Sequence, residues 1–160
     1  MAASSGTAVV TLPTDTTILI TREFNAPRRL LYRAWTTPEL ITRWWGGERG
    51  EVTSAEVDLR VKGRWRYVMV ATGGFEGAFH GEYQEIVPDQ LLVATQVYEA
   101  YPEVEAVATH TFTKRQGRTT LSIFVQHPTQ QTRDAHIQSG MEAGMYEAMD
   151  RLEQVAASLG

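Results

Sequence analysis

The side chains best suited to proton chemistry in this sequence are His80, Glu82 and His110, each set within a run of β-type alternation beside apolar or aromatic neighbours. If their parity points inward, two imidazoles and a carboxylate enter an apolar interior. Desolvation and mutual hydrogen bonding would then bring them into range for general acid–base catalysis. The other parity turns Phe79 and Tyr83 inward and leaves the three in solvent. The sequence keeps both arrangements open. His127 abuts Pro128 and His136 falls early in a helix, so both are expected at the surface. No two histidines stand at H-x-H or H-E-x-x-H spacing, so neither a metal site nor a metal cofactor is expected. The chain contains no cysteine, which removes thiol nucleophiles, disulfides and thiolate ligands. It has no G-x-S-x-G elbow, and Gly46-Gly-Glu-Arg-Gly50 lacks the Lys-Ser/Thr ending of a phosphate loop.

A second set of residues suits binding. Trp44 and Trp45 are adjacent on a short helix, so their side chains diverge by about 100°: one is expected to enter the core or roof the cavity and the other to cover neighbouring loops. Tyr67 and Met69 share a strand face, and Gln96 and Tyr98 offer polar contacts to a ligand hydroxyl or carbonyl. Met141 and Met145 lie on an apolar helix stripe, where methionine both packs and adapts to a ligand.

These residues need a frame. The chain has 160 residues, 42% apolar and 21% charged, and a net charge of -4. That profile is globular, and the acidic balance argues against a nucleic-acid partner. No apolar run reaches the roughly 20 residues of a membrane span, and no signal peptide is evident, so a cytoplasmic location is expected. Residues 1–14 read as an unstructured tail and 15–160 as one domain.

Thr17–Phe24 is β-branched and apolar, a strand. Pro27 opens a first helix with Leu30, Leu31, Ala34 and Trp35 on one face. Thr37 is positioned to cap a second, which carries Leu40, Ile41, Trp44 and Trp45. Residues 52–127 then alternate with period two, giving six strands joined by hairpin-length turns. Val68 and Val70 on the outer face of that sheet allow a homodimer. After Pro128 a single long helix is expected, with Ile137, Met141, Met145, Ala148, Leu152 and Val155 on its buried stripe.

The order of these elements, with Arg22-Glu-Phe-Asn-Ala-Pro27, Ala34-Trp-Thr-Thr-Pro-Glu-Leu40, Trp44-Trp-Gly46, Gly81-Glu-Tyr-Gln-Glu-Ile-Val-Pro88 and Gly140-Met-Glu-Ala-Gly144, resembles the START-like (SRPBCC, helix-grip) superfamily. The branch it resembles is named after the activator of the heat-shock-protein-ninety ATPase. One departure is Lys62-Gly63, where that branch often has two glycines. The resemblance implies an α+β helix-grip fold: a curved antiparallel sheet of about seven strands wrapped around a long C-terminal helix, with two short helices after strand one. It also implies a cavity between sheet and helix.

Three functions fit. The leading one is binding of a small hydrophobic or aromatic ligand in the cavity. The second is a cyclase/aromatase-like enzyme using His80, Glu82 and His110. The third is a co-chaperone-type protein partner, ranked last because the chain shows no counterpart of the activator's additional N-terminal domain.

Overall fold

The period-two alternation folds as expected into an antiparallel sheet. The structure is a computed structural model, and it describes residues 8–46, 50–139 and 141–160, with the side chains of 141–143 excluded. Its strands are β1 (Val9–Thr11), β2 (Thr17–Phe24), β3 (Gly50–Val57), β4 (Arg64–Ala71), β5 (Glu76–Val87), β6 (Leu91–Tyr98), β7 (Ala106–Arg115) and β8 (Arg118–Gln126). They form one curved sheet in the order β1-β2-β8-β7-β6-β5-β4-β3, eight strands against the seven expected. The extra strand is Val9–Thr11, which pairs with Leu19–Thr21 at the sheet edge instead of belonging to a tail.

Helices α1 (Arg28–Thr36) and α2 (Pro38–Trp44) carry the chain from β2 across to β3, at the other side of the sheet. Pro38 occupies the first turn of α2, but Thr37 caps it without a side-chain hydrogen bond. The expected single C-terminal helix comes as two, α3 (Gln130–Gln138) and α4 (Met141–Ser158). Thr129 opens α3 with a reciprocal capping box to Thr132. Ser139 closes it, its hydroxyl donating to the His136 carbonyl, the competition with the backbone that interrupts helices at serine.

The core lies between α1, α2, α4 and the concave face of the sheet. Phe24, Phe112, Leu31, Ile41, Leu121 and Leu152 are fully enclosed there. Met149, which the helical pattern places at the edge of the stripe, is buried as well.

One charged side chain also points inward. Arg22 alternates with Ile20 and Phe24 on the buried face of β2 and is only 4% exposed. Its Nη1 lies 2.9 Å from Asp150 Oδ1 and its Nη2 3.4 Å from Glu153 Oε1, both on α4, while its guanidinium carbon sits 4.6 Å from the centre of the Phe24 ring. Glu153 Oε2 also accepts the Asn25 backbone N–H at 2.8 Å.

Lys62 and Gly63 hold the β3–β4 connection to β5. Lys62 N–H donates to the Tyr83 carbonyl at 2.8 Å, and Tyr83 N–H to the Gly63 carbonyl at 2.9 Å. Lys62 adopts φ 71°, the left-handed conformation that glycine takes without strain. Among the described residues no helix is long and apolar enough to cross a membrane.

A buried cation stripped of its carboxylates costs more than an apolar residue of similar shape in its place. The double substitution Asp150→Asn/Glu153→Gln, which neutralises two of the groups around the buried guanidinium, is expected to destabilise the fold by about 2–4 kcal/mol, more than Arg22→Met does. Urea denaturation of the two variants beside the parent checks the order.

Candidate ligand cavity

The concave face of β4–β7 is not packed solid. It leaves a partly open cavity of about 190 Å³. Strand alternation assigns the lining: Trp65 and Tyr67 from β4, Phe79 and Tyr83 from β5, Leu92, Ala94 and Gln96 from β6, and Ala108 and His110 from β7. Register joins them across strands, with Tyr67 opposite Phe79, Tyr83 opposite Ala94 and Leu92 opposite His110. Trp35 from α1, Trp45 just after α2 and His136 from α3 close the helical side.

Gly81 makes this wall possible. A Cβ there would collide with the Thr95 carbonyl and with the Trp65 indole nitrogen, and Trp65 Nε1 donates to that same carbonyl at 3.2 Å. Trp45 stands edge-on to Tyr67 at 5.3 Å and to Phe79 at 5.0 Å. Trp35 lies 4.9 Å from the His110 ring and 4.7 Å from Trp44.

The two inward arrangements left open by the sequence resolve strand by strand. On β5, Phe79 and Tyr83 face the cavity, while His80 and Glu82 lie on the opposite face. There His80 Nδ1 is 2.9 Å from Glu99 Oε2, which also pairs with Arg66. The Glu82 backbone N–H donates to Thr95 Oγ1 at 2.8 Å. On β7, His110 does face inward. The structure therefore does not bring the three acid–base candidates together: only His110 reaches the cavity.

Of the expected binding residues, Trp45, Tyr67 and Gln96 line the cavity, together with Phe79 of the inward parity. Trp44 belongs to the core, its Nε1 donating to the Ala34 carbonyl at 3.0 Å. Tyr98 stacks on Phe79 at 4.9 Å from outside the lining. Met69 packs beside Gly46 and Gly50, beneath the end of α2. Met145 packs against the core and not the cavity, and the Met141 side chain lies outside the described residues. Trp35, Trp65 and His136 were not among the expected set. The Trp65–Tyr67 alternation carried a signal for the second of these. His136 carried none, because its position depends on the break at Ser139.

His127 and His136, expected at the surface, instead contact each other. His127 is buried, and its Nε2 lies 2.9 Å from His136 Nδ1. Burial draws the His136 pKa down to about 4, with His127 adding to the effect. Burial and then the Arg133 charge lower that of His127. His110 is likewise drawn down to about 4 by burial, against the opposing effect of a backbone hydrogen bond to Leu92, and its Nδ1 has no hydrogen-bond partner. Burial raises the Tyr67 and Tyr83 phenols. Every polar group in the lining is therefore neutral at pH 7, and no lining residue is formally charged. Among the described residues no cluster of His, Asp or Glu is placed to hold a metal ion.

A histidine whose pKa is lower folded than unfolded binds its proton more readily in the unfolded chain. Its contribution to stability is complete above its ordinary value of 6.5 and is lost as pH falls toward about 4. Replacing it by His110→Phe is expected to flatten this acid limb by on the order of 2 kcal/mol. Denaturant unfolding of parent and variant from neutral pH to pH 4 measures the difference, and parallel curves would refute the assignment.

Solved structures share this architecture. A protein from Rhodobacter sphaeroides matches with a TM-score of 0.87 at 24% identity, over 94% of this chain and 99% of that one. One from Mycobacterium smegmatis matches with a TM-score of 0.84 at 21% identity, over 94% and 96%. An AHSA1-like protein from Aeromonas hydrophila matches with a TM-score of 0.66 at 22% identity, over 89% and 94%. At these identities the likeness is one of fold. Curated proteins offer no match to the chain. The family model described as activator of Hsp90 ATPase homolog 1-like protein, however, matches residues 25–157, and by that match the chain belongs to this family.

Proposed function

We infer that the protein binds a small, uncharged aromatic molecule in the cavity between the sheet and the helices. The observation that carries this reading is the lining itself: aromatic walls with a few neutral polar groups and no formal charge, around about 190 Å³. An apolar cavity of about 150 Å³ takes benzene, so this space suits one substituted ring or a compact fused pair. Drug-sized ligands occupy sites of roughly 300 Å³ and above, and a lipid tail needs a longer channel. Trp45 and Phe79 present ring faces and edges for offset or edge-on stacking. Gln96, Tyr67, Tyr83, His110 and His136 supply hydrogen bonds that fix orientation. The absence of charge selects against carboxylates and ammonium groups, whose desolvation nothing in the lining offsets. The enzyme reading has less support, since Glu82, its only carboxylate, lies on the other face of β5.

Acetophenone and indole, both neutral, are expected to raise the melting temperature by about 5–10 °C at a hundredfold excess over their dissociation constants. Benzoate is expected to raise it far less. Ala108→Phe, which fills the cavity, should abolish the response while the protein stays folded by circular dichroism. A parent protein indifferent to the neutral probes, or a filled variant that responds equally, would overturn the reading. Native mass spectrometry of the freshly purified protein identifies any molecule already held.

A further inference from the structure

His136 meets the cavity with a ring whose orientation a second imidazole sets. The His127–His136 contact joins the end of β8 to α3, the two rings centred 5.1 Å apart at 65° to each other. Both imidazoles are neutral, so a single proton occupies the contact between His127 Nε2 and His136 Nδ1. Which ring carries it follows from the surroundings of the far side of His127. Its Nδ1 is enclosed and has no hydrogen-bond partner. Nearby, Arg133 is itself buried, donating to the Thr14 carbonyl at 2.7 Å and the Thr17 carbonyl at 3.5 Å and pairing with Asp134.

If His136 supplied the shared proton, His127 would have to carry its own on Nδ1. That would be a buried donor without an acceptor, in the field of a guanidinium, and both conditions oppose it. If His127 supplies it from Nε2, its Nδ1 keeps a lone pair, which the Arg133 charge favours. His136 then accepts at Nδ1 and holds its own proton at Nε2, for which no protein acceptor exists among the described residues.

We propose that His127 fixes His136 as a hydrogen-bond donor to the cavity, so that the site selects uncharged aromatic molecules bearing an acceptor, such as an aryl ketone or aldehyde, over the same shape without one. This rests on the cavity being a ligand site. His127 acts through His136 and is a positioning residue.

Two measurements test it. Nitrogen-15 spectra of the imidazoles in the ligand-free protein are expected to show His136 protonated at Nε2 and bare at Nδ1. The reverse tautomer overturns the proposal. Acetophenone is expected to bind about 3–10-fold more tightly than ethylbenzene, the range one net hydrogen bond supplies, and to shift the His136 Nε2 resonance. Equal affinities also overturn it. His136→Phe should erase the preference. His127→Gln, which retains a donor to His136 Nδ1, should preserve it. His127→Glu offers an acceptor instead, so at a pH where the same nitrogen-15 spectra show His136 neutral it should move the His136 proton to Nδ1 and remove the preference. Should the glutamate variant fail to fold, the glutamine variant and the parent tautomer still decide. If neither probe binds the parent, the ligand-site reading fails, and the tautomer alone then decides whether His136 is held as a donor.

Discussion

One buried cation governs where the helical layer can lie. Arg22 faces the concave side of the sheet from β2, where a lone charge is not tolerated, and its carboxylate partners Asp150 and Glu153 both belong to α4. The partnership ties α4 over the β2 side of the sheet, where it packs with α1 and α2. The β4–β7 half of the concave face is left to Trp35, Trp45 and His136, three residues from three separate segments. Side chains reaching from separate segments do not fill the space as one continuous helix stripe would, and the cavity is what remains. The methionine stripe of α4 accordingly serves the core at Met149 and Met145 rather than the cavity.

Much of this frame was legible in the sequence because it rests on short-range pattern. Period-two alternation marked the strands, Pro27 and Pro38 marked the helix starts, and the motif order pointed to the helix-grip architecture. The cavity was only partly legible. His80 and Phe79 are adjacent in sequence, and their opposite fates follow from the pairing of β5 with β4 and β6, including an irregular register between Tyr83 and Glu85. That register is a long-range property. The inward turn of His110 likewise follows from its pairing with Leu92 and Ile123. His136 was less accessible still, because an uninterrupted helix from Thr129 would have carried it elsewhere.

The chemistry of the cavity follows from what the sheet can bury. Arg66, His80 and Glu99 satisfy one another on the outer face, where solvent screens them, and Arg66 and then His80 draw the Glu99 pKa down to about 2. Around the cavity, the inner face of β4–β7 takes only groups that remain neutral: phenols raised by burial and imidazoles lowered by it. Charge is thus sorted between the two sides of β4–β6 by strand parity, and a single-residue register slip would reverse the sorting.

The arrangement of the tryptophans has an optical consequence. The chain contains four tryptophans. Three of them, Trp35, Trp45 and Trp65, line the cavity, and the fourth, Trp44, lies 4.7 Å from Trp35. No indole is far from the cavity, so the intrinsic fluorescence of the protein originates almost wholly at its walls. A guest that displaces water or stacks on Trp45 changes the polarity and quenching felt by these indoles together. The protein therefore carries a built-in emission signal for the occupancy of its own interior, without any added label.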